Sequence, residues 1–236
     1  FDIYENNLYN IEMELRQNHF DENIDIVAVV GSVRDKKRLE KVFETYKPYL
    51  VFHAAAHKHV PLMETSPNEA IKNNVFGTYN VARACETYGT KRMVLISTDK
   101  AVNPTNIMGA SKRICEMVIQ GMARKNPNTN YVAVRFGNVL GSNGSVIPLF
   151  IDQIKSGRPI TITDPNMTRF LMNLDEAVDL VEFAFEHANP GDLFIQKSDA
   201  STIGDLAKAV QELFGDTGIN IIGTRHGEKL YETLMT

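Results

Sequence analysis

Residues 97 to 112 read Ser-Thr-Asp-Lys-Ala-Val-Asn-Pro-Thr-Asn-Ile-Met-Gly-Ala-Ser-Lys. Two hydroxyls, Ser97 and Thr98, stand directly before an acid, Asp99, and a base, Lys100. A second lysine, Lys112, follows Met108 by four residues. An acid beside a base can protonate one atom and deprotonate its neighbour, and an adjacent hydroxyl can hold a substrate oxygen. Alone, Asp99-Lys100 reads as a surface ion pair capping a loop. At the end of a buried strand, with Met-Gly-Ala-Ser-Lys following, it reads as catalytic. A neighbouring ammonium favours the ionised carboxylate, whereas an acid–base pair must work as protonated Asp and neutral Lys. Burial disfavours both charges and brings the neutral pair within reach.

The elements that must position these residues show in the hydrophobic pattern. Apolar, β-rich runs at 24–30, 48–55, 91–98, 130–137 and 192–198 read as buried strands, each followed by a helical pattern. Helices are predicted over about Asp35–Tyr46, Met108–Lys125, Asp175–His187 and Thr202–Phe214. Another starts at Ser66 as N-cap, with Pro67 first and Glu69 closing a capping box, and turns Ile71, Val75, Thr78, Ala82 and Cys85 inward. Alternating strands and helices imply an α/β fold with a doubly wound parallel sheet, whose ligand sits at the carboxyl ends of the strands. His-Ala-Ala-Ala-His-Lys-His-Val-Pro (53–61), Ser-Thr-Asp-Lys (97–100) and Arg-Phe-Gly-Asn-Val-Leu-Gly-Ser-Asn-Gly-Ser-Val (135–146) fall at such ends.

Composition narrows the class. The 236 residues are 43% hydrophobic and 23% charged, ordinary for a globular protein with a sizeable core. A net charge of -4 gives no basic footprint for nucleic acid. No apolar run in these residues reaches the length of a membrane span, and no signal peptide is expected. Cys85 and Cys115 lack metal spacing and read as reduced core thiols, in keeping with the cytoplasm. No three His, Asp or Glu residues show zinc spacing, so no metal is expected.

A nucleotide-binding sheet of this type normally opens on strand, Gly-x-Gly-x-x-Gly and helix, which lets backbone amides approach a pyrophosphate. No such sequence occurs in the 236 residues. The chain starts with Asp2 and a helical pattern carrying Leu8, Ile11 and Leu15 on one face, as the end of a second strand and its helix do. Asp2 then sits where a ribose-binding acid belongs. The expectation is a chain lacking a first βα unit, poorly stable and weak in cofactor binding.

In this order, the segments 53–61, Asn-Asn-Val-Phe-Gly-Thr-Tyr-Asn-Val (73–81), 97–112, 135–150 and Arg-His-Gly-Glu-Lys-Leu-Tyr-Glu-Thr-Leu (225–234) resemble extended short-chain dehydrogenase/reductases. More narrowly, the sequence is similar to the polysaccharide-biosynthesis UDP-N-acetylglucosamine 4,6-dehydratases, whose long, membrane-anchored members carry Met where short members carry Tyr. The resemblance implies a tightly held NAD(P) and a UDP-sugar substrate. It also implies a Rossmann-like cofactor domain over 1–137 and a mostly substrate-binding lobe over 138–236, some of whose segments return to the sheet. A homo-oligomer is expected, with the parent protein on the cytoplasmic side of a membrane.

By the same resemblance Thr98 binds the sugar C4 oxygen, Asp99 is the acid toward C6, and Lys100 is the base at C5. Lys112 binds the nicotinamide ribose. Met108 has no proton to give, so a water held by Thr98, or Asp99 or Lys100 in a second role, takes the C4 proton. Ser97, Ala54, Ala55, Ala56 and Lys58 are expected beside the cofactor and His59 beside the substrate. Asn74, poor in a helix interior by propensity, reads as a buried amide at a kink next to the site. Asn138 is a candidate donor to the sugar phosphates, and the amides of Gly144, Ser145 and Val146 can meet the nucleotide or form an ordinary turn. Arg169 and Arg225 suit a diphosphate, because a guanidinium makes paired hydrogen bonds to phosphate oxygens. Glu228 binds a ribose hydroxyl or pairs with an arginine. Asp2 favours NAD over NADP, since a carboxylate repels a 2′-phosphate. Ser32 replaces the acid often found after that glycine and weakens the adenine contact. A UDP-sugar 4-epimerase and a non-catalytic NAD-binding module are the alternatives.

Overall fold

The computed structural model describes residues 1–19, 23–126 and 128–235. Helices α1 (Glu5–Asn18) and α2 (Lys36–Tyr46) precede the first strand, β1 (Leu50–His53). Two short helices, α3 (Val60–Thr65) and α4 (Pro67–Ala70), lead through a widened π-helical segment, Ile71–Phe76, into α5 (Gly77–Tyr88). Then come β2 (Arg92–Thr98), a 3-10 turn (Asp99–Ala101), α6 (Ile107–Lys125) and β3 (Asn130–Phe136). The rest of the chain holds β4 (Asn138–Val139), α7 (Val146–Lys155), β5 (Ile160–Ile162), β6 (Thr168–Met172) and α8 (Leu174–His187). It continues with β7 (Leu193–Ile195), β8 (Ala200–Thr202), α9 (Ile203–Phe214) and β9 (Ile219–Ile221).

The central sheet is parallel throughout, in the order β1-β2-β3-β7. Successive residues of a strand point to opposite faces, so an almost continuous apolar run can feed two cores at once. On one face Met93, Leu95, Tyr131 and Ala133 pack with Leu39 and Phe43 of α2, Val81 and Cys85 of α5, and Ile119 of α6. On the other, Val94, Val132 and Val134 meet Leu180 and Ala184 of α8. Burying one such Leu or Val side chain contributes roughly 1.5–3 kcal/mol. Helices on both faces make the sheet doubly wound, and the fold is Rossmann-like.

Beyond the sheet, Phe150 and Ile154 of α7, Ile160 and Ile162 of β5, and Ala207 and Val210 of α9 form a separate cluster. A mixed sheet, β4-β6-β8, and a pair, β5-β9, accompany it. Among the described residues no helix is long and apolar enough to cross a membrane.

Two local expectations are corrected. The run 24–30 is not a strand: Val30 makes one isolated parallel bridge, to Asp2, and Ile24 and Val27 are exposed. A strand needs a ladder of partners, and apolar composition does not supply one. Ser66 makes no side-chain cap bond: the Glu69 amide donates to the Ser66 carbonyl at 3.1 Å, and the Glu69 carboxylate binds Arg34 at 2.6 Å and Lys72 at 3.2 Å. A capping box does form at α8, between Asn173 and Glu176. Helix α1 forms as expected, yet none of its residues is buried, so its apolar face is uncovered among the described residues.

Candidate active site

Thr98 is the last residue of β2, and the chain then tightens into one 3-10 turn. The Thr98 hydroxyl accepts from the Lys100 amide at 3.4 Å and donates to Asp99 Oδ1 at 2.8 Å. Lys100 Nζ donates to the same Oδ1 at 2.9 Å and to Asn138 Oδ1 at 3.0 Å. Asp99 is 0% exposed, whereas the Lys100 side chain keeps 22% of its surface. Both side-chain bonds fall on one carboxylate oxygen, and Oδ2 is buried without a partner. Leaving such an oxygen without a hydrogen bond costs about 1–3 kcal/mol. Because Asn138 accepts from Lys100 through its oxygen, its amide nitrogen is left to donate.

Helix α6 starts against this turn. The Asn106 side chain accepts from Gly109 N at 2.7 Å as N-cap, and Glu64 accepts from Ile107 N at 2.7 Å. A Cβ at Gly109 would overlap the Lys100 carbonyl oxygen, so only glycine allows the approach. From there Met108, Lys112 and Glu116 recur every four residues along one face. Met108 is buried with Met63 and Ala70. Lys112 donates to the Ile96 carbonyl at 2.6 Å, and burial holds its ammonium below the usual lysine range. Burial pushes the Glu116 carboxyl up, but hydrogen bonds from Arg135 and Ser97 outweigh it, and the net shift is downward.

The π-helical widening before α5 puts Asn74 inside, 1% exposed. Its amide accepts from His57 N at 2.8 Å and donates to the His57 carbonyl at 3.0 Å and Ser111 Oγ at 2.9 Å. It is the buried amide at a kink that its propensity suggested, and it fixes the loop after β1 to α6.

These pieces surround a cleft of about 400 Å³ at the carboxyl ends of β1, β2 and β3. Ala54, Ala56, Lys58 and His59 line it from the first loop, and Ser97, Thr98 and Lys100 from the second. Met108 and Lys112 line it from α6, Asn138 from β4, and Gly144, Ser145 and Val146 from the turn that opens α7. Two contacts join the rims: Lys58 Nζ donates to the Asn143 carbonyl at 2.6 Å, and the His59 ring lies against Gly144, whose φ of +69° suits glycine. Ser97 lines the cleft but spends its hydroxyl on Glu116, at 2.7 Å.

Other expected residues are not in the lining. Asp99 and Asn74 lie one bond behind it, through Thr98, Lys100 and His57. Ala55 sits between two lining alanines without joining them. The Asp2 carboxylate accepts from Tyr4 N at 2.7 Å, closing its own turn. Arg169 folds back on the Thr168 carbonyl at 2.8 Å, and Glu228 accepts from the Arg225 backbone at 3.0 Å. The sequence reading missed Glu116 and Arg135, a buried pair. The only signal was the helical step from Lys112 to Glu116.

The whole chain, residues 1–236, matches the family described as polysaccharide biosynthesis protein. The protein belongs to that family. It is 51% identical, over 98% of its length, to the capsular polysaccharide biosynthesis protein CapD of Staphylococcus aureus, and covers 39% of that protein. The chain thus spans about two fifths of the length of that curated relative. A UDP-glucose 4-epimerase of Rickettsia rickettsii is 50% identical over 88% of this chain and 61% of its own length. Among solved structures, Pen from Bacillus thuringiensis superposes with a TM-score of 0.93 at 39% identity, over 100% of this chain and 74% of its own. DesIV, a dTDP-glucose 4,6-dehydratase of Streptomyces venezuelae solved with NAD, gives 0.82 at 19% identity, over 93% and 74%, and shows the fold.

Proposed function

We propose that the protein is an NAD-dependent nucleotide-sugar 4,6-dehydratase acting on UDP-N-acetylglucosamine. The observation that carries this reading is the buried Asp99 directly behind the cleft, bonded through Oδ1 to Thr98 and Lys100, which line it. Removing water across C5 and C6 of a hexose needs an acid and a base a bond apart. A single proton shift across the 2.9 Å contact turns an ammonium–carboxylate pair into an amine and an acid.

The residues present suit the nicotinamide end of NAD. Ala54 and Ala56 leave the strand end open to close approach, and the Lys112 ammonium has donors beyond the one spent on Ile96. When bound, NAD would supply the acceptor for the C4 hydride and its return to C6, with the C4 hydroxyl proton leaving to a water held by Thr98. With C4 a ketone held by Thr98, the C5 proton is acidic. Lys100 removes it, while Asp99, set one hydrogen bond behind the lining, supplies the proton to the departing C6 hydroxyl through Thr98. Asn138 steers Lys100 and offers its amide to the sugar phosphates, as do the backbone amides of Gly144 to Val146. Met108 is an apolar wall with no proton role. In this reading Asp2 meets the adenosine ribose and selects NAD, with NADP as the alternative.

The 50% identity to a UDP-glucose 4-epimerase favours a second reading, 4-epimerisation. That reaction has no proton transfer at C5 or C6, so it needs at most one of Asp99 and Lys100, for the C4 proton. Incubating the protein with NAD+ and UDP-N-acetylglucosamine in deuterated water separates the two. The dehydratase yields a 4-keto-6-deoxy sugar with deuterium at C5. Inversion at C4 without label at C5 replaces that reading with the second, and no conversion by protein shown to be folded and loaded with NAD+ sinks both.

A further inference from the structure

Beneath the cleft, Glu116 and Arg135 are both buried, 1% and 5% exposed. Arg135 forks onto the carboxylate, Nε to Oε1 at 2.8 Å and Nη2 to Oε2 at 2.8 Å. Ser97 donates to Oε1 at 2.7 Å, and Arg113 to Oε2 at 3.0 Å. The remaining Arg135 nitrogen, Nη1, donates to the Leu234 carbonyl at 3.0 Å. Ser97 and Arg135 are register partners on β2 and β3, so the carboxylate ties both strand ends to α6.

Burying an ion pair rarely stabilises a fold more than apolar side chains of the same volume do, so stability alone does not account for it. Its position does. Ser97 directly precedes Thr98, Asp99 and Lys100. Arg135 lies three residues before Asn138, which accepts from Lys100. Glu116 lies one helical turn after Lys112, whose ammonium is bonded to Ile96, the neighbour of Ser97. Every polar side chain assigned to the chemistry therefore leaves the backbone within a few residues of an atom this pair clamps.

We propose that Glu116 and Arg135 are positioning residues that set the register of β2, β3 and α6, and thereby the spacing of Thr98, Asp99, Lys100, Lys112 and Asn138. This rests on the dehydratase reading for its kinetic consequence, but not for its structural one. A fixed acid–base geometry is what a reaction of this kind requires, since misplacement by about 1 Å can cost roughly a hundredfold in rate.

The test is the double variant Glu116→Leu with Arg135→Met, which removes both charges and keeps the volume. The expected result is a thermal midpoint near that of the wild type and KM for UDP-N-acetylglucosamine within about threefold, with kcat lower by at least about tenfold. Amide hydrogen exchange over residues 96–101 is expected to quicken about tenfold while that of β1 is unchanged. A folded double variant with kcat within about twofold of wild type and unchanged exchange overturns the proposal. Should the double variant not fold, Arg135→Lys decides: it keeps the charge but not the fork, and wild-type kcat in it also overturns the proposal. If the wild-type protein itself puts no deuterium at C5, the dehydratase reading fails. Local exchange in the variants then decides the positioning role by itself.

Discussion

Asp99 has one oxygen that two neighbouring side chains hold and one that none of the described residues holds. Oδ1 is pinned by Thr98 and Lys100, so the carboxyl cannot rotate freely, while Oδ2 is buried without a partner. Asp99→Asn keeps the shape and removes the transferable proton. The expected outcome is kcat for dehydration lower by about 10²–10⁴ with KM little changed, measured by steady-state kinetics on UDP-N-acetylglucosamine. At this scale the sequence was readable where chemistry is local. Thr98, Lys100 and Lys112 line the cleft together, and Met108 is the apolar filler its type suggested. Glu116 and Arg135 were not readable, because an ion pair between residues 19 apart leaves no mark in either local pattern. Arg169 and Asp2 also hold backbone groups close by, the Thr168 carbonyl and the Tyr4 amide, which residue type alone does not announce.

The elements around the site meet at closer range than their patterns reveal. The start of α6 presses on the turn that holds Lys100, and Gly109 is the point of contact. Gly109→Ala drives a methyl into the Lys100 carbonyl. It is expected to destabilise the protein by about 1–3 kcal/mol and to lower kcat together with the unfolding midpoint, measured by denaturant titration and turnover. Unchanged stability and turnover contradict that contact. Periodicity located α2, α6, α8 and α9 to within a residue or so, because each buries one apolar stripe. It did not show that the helix entered at Pro67 widens at Ile71–Phe76, since the pattern of apolar residues survives a single extra-wide turn. The Asn74 side chain, costly in a helix interior, was the one visible trace.

For the molecule as a whole, the doubly wound parallel sheet followed from runs that are apolar on both faces, a feature few other folds share. The run at 24–30 has the same look and is not a strand, because pairing is a property of neighbours. Global stability carries its own signature at His53, at the end of β1. Burial, and then the nearby charge of Lys112, lower its pKa from 6.5 to about 3, and its ring meets Thr78 Oγ1 at 2.9 Å. The unfolded chain binds a proton there between those two values that the native protein does not, so stability falls as pH drops through the window. Between pH 7 and pH 5 the loss from this residue is about 2 kcal/mol. Urea titrations at the two pH values are expected to show it, and His53→Gln to flatten it. An equal slope in that variant assigns the loss elsewhere.

The segment running toward residue 234 adds a dimension of time. Gly227 accepts from Thr105 and Asn106, Lys229 reaches the Val102 carbonyl, and Leu234 meets Arg135. These partners are 99 to 127 residues apart along the chain. Contacts of such separation close late, after the entropy of a long loop has been overcome. On the ribosome, strands β1 to β3 can therefore assemble while the loop beyond the reactive turn still lacks its brace. The order of synthesis delays a finished cleft until the sheet beneath it is already in place.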